Sequence, residues 1–170
     1  MLDRFIAIDV ETASRSPMSV CAVGAARFEQ GGETGTFKSL VHVDGPIRFG
    51  RIHGLEVREL AGAPDWPAVW QRLLDFTGGI REFVAYRAEF DRGAVLAMCA
   101  SHHVRVPPLR FTCAAKMIEE RFAGNRDLRE ALRLLGLPFP GRHHDPLADA
   151  RAAAAIAIAC RVPRRPRGAS

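Results

Sequence analysis

At 170 residues, the chain has room for one domain with one substantial core. Its balance of 48% hydrophobic and 25% charged residues excludes a disordered polymer. No apolar run is long enough to cross a bilayer, and the first ten residues lack a signal peptide's basic–apolar–small layout. The formal charge of +5 is carried almost wholly by arginine, Lys38 and Lys116 being the only lysines. Such a surface favours encounter with phosphates but says nothing about fold. Cys21, Cys99, Cys113 and Cys160 are scattered without a C-x-x-C pair, so they are expected to be reduced and mostly buried in a soluble cytoplasmic protein.

In chain order, FIAIDV (5–10) is a β-branched apolar run suited to a buried strand. SVCAVGAARFE (19–29) and TFKSLVHV (36–43) follow as strands about the turn QGGETG, giving a three-strand antiparallel meander. A loop after Pro46, a short helix over 55–60 and a longer one over 67–76 come next, with Pro67 at the first helical position. EFVAY (82–86) predicts a strand running into a helix over 88–102, with Phe90, Ala94, Ala97 and Met98 as its core stripe. RFTCA (110–114) predicts another strand, followed by a helix through Phe122. Leu128, Ala131, Leu132 and Leu135 mark an amphipathic helix stopped by Gly136. The last helix spans 146–160, with Asp145 as N-cap and Pro146 in its first turn. Strands first, then strands alternating with helices, indicate an α/β fold with a mixed sheet flanked by helices. The domain is expected over 1–160, and 161–170 as a disordered basic tail of Arg161, Arg164, Arg165 and Arg167 among prolines.

Asp9 and Glu11 interrupt the first strand at i and i+2, so both carboxylates face one side. Two such anions repel unless a cation sits between them, and oxygen ligands suit a hard divalent ion. Solvated acids at a strand end would be the ordinary alternative. Asp149 and Asp91 each fall in the first turns of a helix, where a carboxylate also complements the helix dipole. His143-His144 precede the last helix, which puts His144 on the loop over any site beneath.

Taken together, FIAIDVETAS, SVCAVGAARFEQG, IHGLEV, FVAYRAEFDRGAVL and HHDPLADARAAA resemble the DnaQ-like, DEDDh group of 3′→5′ exonucleases over residues 4–158. The most specific pieces are H-x-x-x-x-D at His144 and Asp149 and D-x-E-T at 9–12. The resemblance implies an RNase H-like fold, with a five-stranded mixed sheet and helices on both faces. It implies two Mg²⁺ or Mn²⁺ ions, one held by Asp9, Glu11 and Asp149, the second shared by Asp9 and Asp91. It makes His144 the general base, and places Thr12, Ile52, His53 and Gly54 beside the terminal nucleotide. The implied substrates are single-stranded DNA or RNA 3′ ends, DNA favoured, with nucleoside 5′-monophosphates as products and a DNA polymerase as a candidate partner.

The chain departs from these relatives in two places. Tyr86-Arg87 stands where they commonly show His-Asn, and Pro146 replaces a usual alanine. The first departure supports a rival reading, a catalytically silent nucleic-acid-binding or polymerase-docking module of the same fold. A zinc protein built on His102-His103 and His143-His144 is a poorer reading, because no cysteine pair accompanies them.

Overall fold

The computed structural model describes residues 3–161. Strand β1 (Arg4–Thr12) lies at the centre of a five-stranded sheet ordered β3-β2-β1-β4-β5. β2 (Val20–Glu29) and β3 (Gly32–Leu40) continue from it antiparallel, while β4 (Glu82–Ala85) and β5 (Arg110–Cys113) lie parallel on its other side. The helices are α1 (Gly50–His53), α2 (Val57–Leu60), α3 (Trp66–Thr77), α4 (Ala88–Ser101), α5 (Ala114–Phe122), α6 (Leu128–Leu135) and α7 (Pro146–Arg161). This is the expected meander plus parallel strands, an RNase H-like sheet covered on both faces.

The alternation along β1 divides the core. Ile6, Ile8 and Val10 face α3 and α4, packing with Trp66, Val69, Leu73, Val95 and Met98. Phe5 and Ala7 face the other way, with Ala114, Ile118, Leu132 and Ile156 of α5, α6 and α7. Phe5 stacks on Phe28 of β2 at 5.0 Å between ring centres. Each such side chain taken fully from water contributes about 1.5–3 kcal/mol. Helix α7 is buried along most of its length, and its alanines let the backbone sit close to the sheet.

Several elements differ from the sequence expectation for identifiable reasons. The turn between β2 and β3 uses two residues rather than six: Gln30 and Gly31 adopt φ of 51° and 81°. Two positive φ values match the twist of paired strands, so the ladder continues through Gly32–Gly35. Asp65 caps α3 by accepting the Ala68 N–H at 3.0 Å, which makes Trp66, not Pro67, the first helical residue. The core stripe of α4 keeps Ala94 and Met98 but not Phe90 or Ala97. Asp91, Ala94, Val95, Met98 and Cys99 face inward, whereas Phe90 is 53% exposed. The loop after Pro46 contains the unexpected turn α1. Arg161, assigned to the tail, closes α7, and residues 162–170 lie outside the described residues.

Candidate metal centre

Three residues aligned across the sheet position the site: Asp9 on β1 pairs with Gly24 on β2, and Gly24 pairs with Lys38 on β3. Lys38 forms an ion pair with Asp145 at the start of α7. The Asp145 Oδ1 caps that helix, accepting the Leu147 and Ala148 N–H groups at 3.0 and 3.3 Å. Gly24 lies beneath the same turn, where a Cβ would come within 2.2 Å of the Pro146 carbonyl carbon and the Leu147 nitrogen. Arg151 holds the next turn through a two-point pair with Glu33 of β3, at 2.7 and 2.8 Å. Asp149 is thereby carried down onto β1.

There it meets the paired carboxylates. Oxygens of Asp9, Glu11 and Asp149 all lie within 4.8 Å of one another. Asp91 reaches the same cavity from the opposite layer. Its Oδ1 accepts the Val10 N–H at 3.1 Å, on the side of β1 where pairing with β4 is recorded only at Ile6 and Ala7. Asp91 therefore fastens the backbone between Asp9 and Glu11, and stands outside the tight trio. The cavity, about 470 Å³, is lined by Asp9, Glu11, Asp91, His144 and Asp149 with Arg87 and Phe90.

The electrostatics show what this crowding costs. Burial, with Asp149 and Asp91 as like-charged neighbours, pushes the Glu11 carboxyl up to about 8. Burial drives Asp9 well above the usual carboxylate range, helped by Asp91, Glu11 and Asp149. Asp91 rises to about 7, again chiefly by burial, although its bond to Val10 opposes the shift. A donor set of clustered, buried carboxylate oxygens fits a hard divalent cation, which would let all of them ionise.

His144 stands on the turn before α7 with φ of 64°, a left-handed conformation uncommon for a residue with a side chain. Its Nδ1 is 3.8 Å from the Glu11 Oε1, and burial lowers its pKa. Its ring stacks on His143 at 3.9 Å, and His143 packs edge-on against Phe139. This turn also holds both oxygens of Asp149, Oδ1 through His143 Nδ1 and Oδ2 through the His144 N–H, each at 3.1 Å. His143 thus joins the site, although the sequence marked it only as the neighbour of His144 and as a ligand of the discarded zinc site. Gly24 and Lys38 gave no signal at all.

The remaining candidates frame a second cavity, of about 190 Å³, on the other side of His144. His53 and Gly54 line it, Gly54 closing α1 with φ of 80°. His53 is buried, and burial lowers its pKa. Its Nδ1 accepts the Leu55 N–H at 3.1 Å, which puts the ring proton on Nε2, facing the Thr12 carbonyl and the Cys21 sulfur. Thr12 is buried beside an irregularity in the β1–β2 pairing, whereas Ile52 is 49% exposed. His102 and His103 join no such cluster among the described residues, so the four-histidine zinc reading fails.

A mixed sheet with acids from both of its covering layers meeting at the central strand defines a nuclease of the RNase H-like class. The exonuclease family RNase_T matches residues 6–157, and the chain belongs to that family. Among solved structures, the nuclease domain of 3'hExo, a DEDDh family member bound to rAMP, has a TM-score of 0.79 at 18% identity, covering 92% of this chain and 90% of that one. Exonuclease X in complex with 5′ overhanging duplex DNA has a TM-score of 0.73 at 21% identity, covering 92% and 90%. The Mg²⁺- and Mn²⁺-bound form of S. pombe Pop2p has a TM-score of 0.69 at 13% identity, covering 93% and 83%. No curated protein sequence matches the chain. No helix among the described residues is long and apolar enough to cross a membrane.

Proposed function

We propose that the chain hydrolyses the 3′-terminal phosphodiester bond of single-stranded nucleic acid, DNA favoured over RNA, and releases nucleoside 5′-monophosphates. The observation that carries this reading is the meeting of Asp9, Glu11 and Asp149 within 4.8 Å, on a cavity that Asp91 and His144 also line. Asp9, Glu11 and Asp149 would hold one Mg²⁺ or Mn²⁺, and Asp9 with Asp91 a second. Bound there, the two ions supply Lewis-acid activation of water and stabilisation of the leaving oxygen. His144 accepts the proton of the attacking water, and burial, which lowers its pKa, favours the neutral imidazole that this task needs. Thr12, Ile52, His53 and Gly54 border the terminal nucleotide, with the exposed face of Ile52 available to a base. Four free cysteines suit a reducing, cytoplasmic setting. A DNA polymerase is the candidate protein partner.

The test is digestion of 3′- and 5′-end-labelled single-stranded DNA and RNA with Mg²⁺, Mn²⁺ or EDTA, beside Asp149→Ala. Metal-dependent shortening from the 3′ end, lost in the variant, is the expected result, and the faster polymer identifies the sugar preferred. A folded, metal-loaded protein that shortens neither polymer would turn the reading to a silent docking module.

A further inference from the structure

Tyr86-Arg87, at the junction of β4 and α4, is held in place from several sides. Tyr86 is buried; its hydroxyl donates to the Arg126 carbonyl at 2.8 Å, and its own carbonyl accepts the Ala115 N–H at 2.9 Å. The backbone that presents Arg87 is therefore fixed to both α5 and the loop before α6. Arg87 itself is exposed at the N-cap of α4, one turn ahead of Asp91.

Its guanidinium makes a single bond, from Nη2 to the Asn125 Oδ1 at 3.3 Å, and no carboxylate pairs with it among the described residues. Two nearby acids are otherwise engaged: Glu89 bonds Lys116 at 2.6 Å, and Asp127 caps α6 through the Glu130 N–H at 2.8 Å. An exposed guanidinium on a fixed backbone, in no ion pair among the described residues, is thus left facing open space. That space is shared. Arg87 and Phe90 line both the cavity of the acids and a neighbouring one of about 340 Å³, whose wall carries Glu89 and Glu119 as well as Lys116 and Asn125.

We propose that Arg87 is a strand-binding residue, its guanidinium holding a backbone phosphate of the nucleic acid upstream of the scissile bond where the strand leaves the catalytic cavity. The proposal rests on the exonuclease reading above. A planar fork of donors suits phosphate oxygens, and the long bond to a neutral amide is readily exchanged for a charge-assisted one. Asparagine at this position could not supply that charge.

The test compares Arg87→Asn and Arg87→Lys with Arg105→Asn, which removes the same charge from an exposed loop position. Binding of a 5′-labelled single-stranded 12-mer is followed by fluorescence anisotropy with Ca²⁺ in place of Mg²⁺, across a salt series. Arg87→Asn is expected to weaken binding roughly ten- to hundredfold and to flatten the salt slope by about 0.7, one phosphate contact on a single strand. Arg87→Lys should keep the slope and lose part of the affinity. In turnover, Arg87→Asn should raise KM for the 12-mer far more than for a p-nitrophenyl ester of thymidine 5′-monophosphate, which is too short to reach it. Affinity and slope equal to those of Arg105→Asn would overturn the proposal while leaving the exonuclease reading intact. Arg87-dependent binding by a wild type that digests nothing would sink the exonuclease reading and leave the Arg87 contact standing.

Discussion

Gly24 lies so close beneath Pro146 that a single methyl group would meet its carbonyl carbon at 2.2 Å. Both contacting partners are backbone, so no rotamer change can relieve the collision. Gly24→Ala must lift the first turn of α7 from β2, and with it Asp149 from Asp9. The expected cost is about 1–3 kcal/mol, typical of overpacking, or roughly 2–4 °C in Tm for each kcal/mol in a chain of this size. Mg²⁺ should stabilise the variant less than the wild type. Thermal unfolding with and without Mg²⁺ checks both, and an unchanged response to the ion would show that the close approach does not set the site.

A second expectation follows from the mutual repulsion of the acids. Asp9 has Glu11, Asp91 and Asp149 as like-charged neighbours, so Asp9→Asn should raise the Tm of the metal-free protein at pH 8. The same change should abolish turnover and the stabilisation by Mg²⁺ or Mn²⁺. Calorimetric titration of the ion, run beside the melts, separates the two effects. A variant that melts lower without metal would mean that the carboxylates are not in conflict.

The pH dependence of stability has a definite sign. Glu11 has a folded-state pKa of about 8 against an ordinary value of 4.5, so the folded protein binds the proton more tightly than the unfolded chain between those values. Stability is then greatest below pH 4.5 as far as this group is concerned, and is lost as pH rises through 8. Asp91, raised to about 7, acts in the same direction. Metal-free protein should therefore melt at progressively lower temperature from pH 6 to pH 8.5, and a divalent ion should restore more at the upper end. Melts at constant ionic strength test it; parallel curves with and without metal would contradict it.

The acids were legible because a strand's two-residue period puts Asp9 and Glu11 on one face whatever the strand packs against. Two helix ends were legible for a similar reason, since Asp145 at the start of α7 and Gly136 at the end of α6 act on backbone within a few residues. What escaped depends on contacts between distant segments. Gly24 reads as any small residue in a strand until α7 is laid across it. The α4 stripe was right at Ala94 and Met98 but wrong at Phe90, the more hydrophobic neighbour, because Asp91 takes the inward position to reach the Val10 N–H. Turn α1 is too short to carry a periodicity, and the Gln30-Gly31 turn was hidden in a six-residue run of turn formers.

His144 supplies the last expectation. Burial, followed by the neighbouring His143, lowers its pKa below the ordinary 6.5, so the neutral base is available at lower pH than for a free imidazole. With chemistry rate-limiting and metal saturating, kcat should climb as pH rises and reach its plateau at lower pH than a free imidazole would give. His144→Ala should cut kcat about 10²–10⁴-fold, the usual range for a lost general base, with little change in strand affinity, and remove the rising limb. His143→Gln should behave differently. Its ring holds the Asp149 Oδ1 and stacks on His144, so its loss should weaken metal binding and raise the metal concentration needed for half-maximal rate. At saturating metal the variant should recover most of its turnover. A pH–rate series at two metal concentrations distinguishes the two histidines, and a limb that survives His144→Ala would assign the proton transfer to another group.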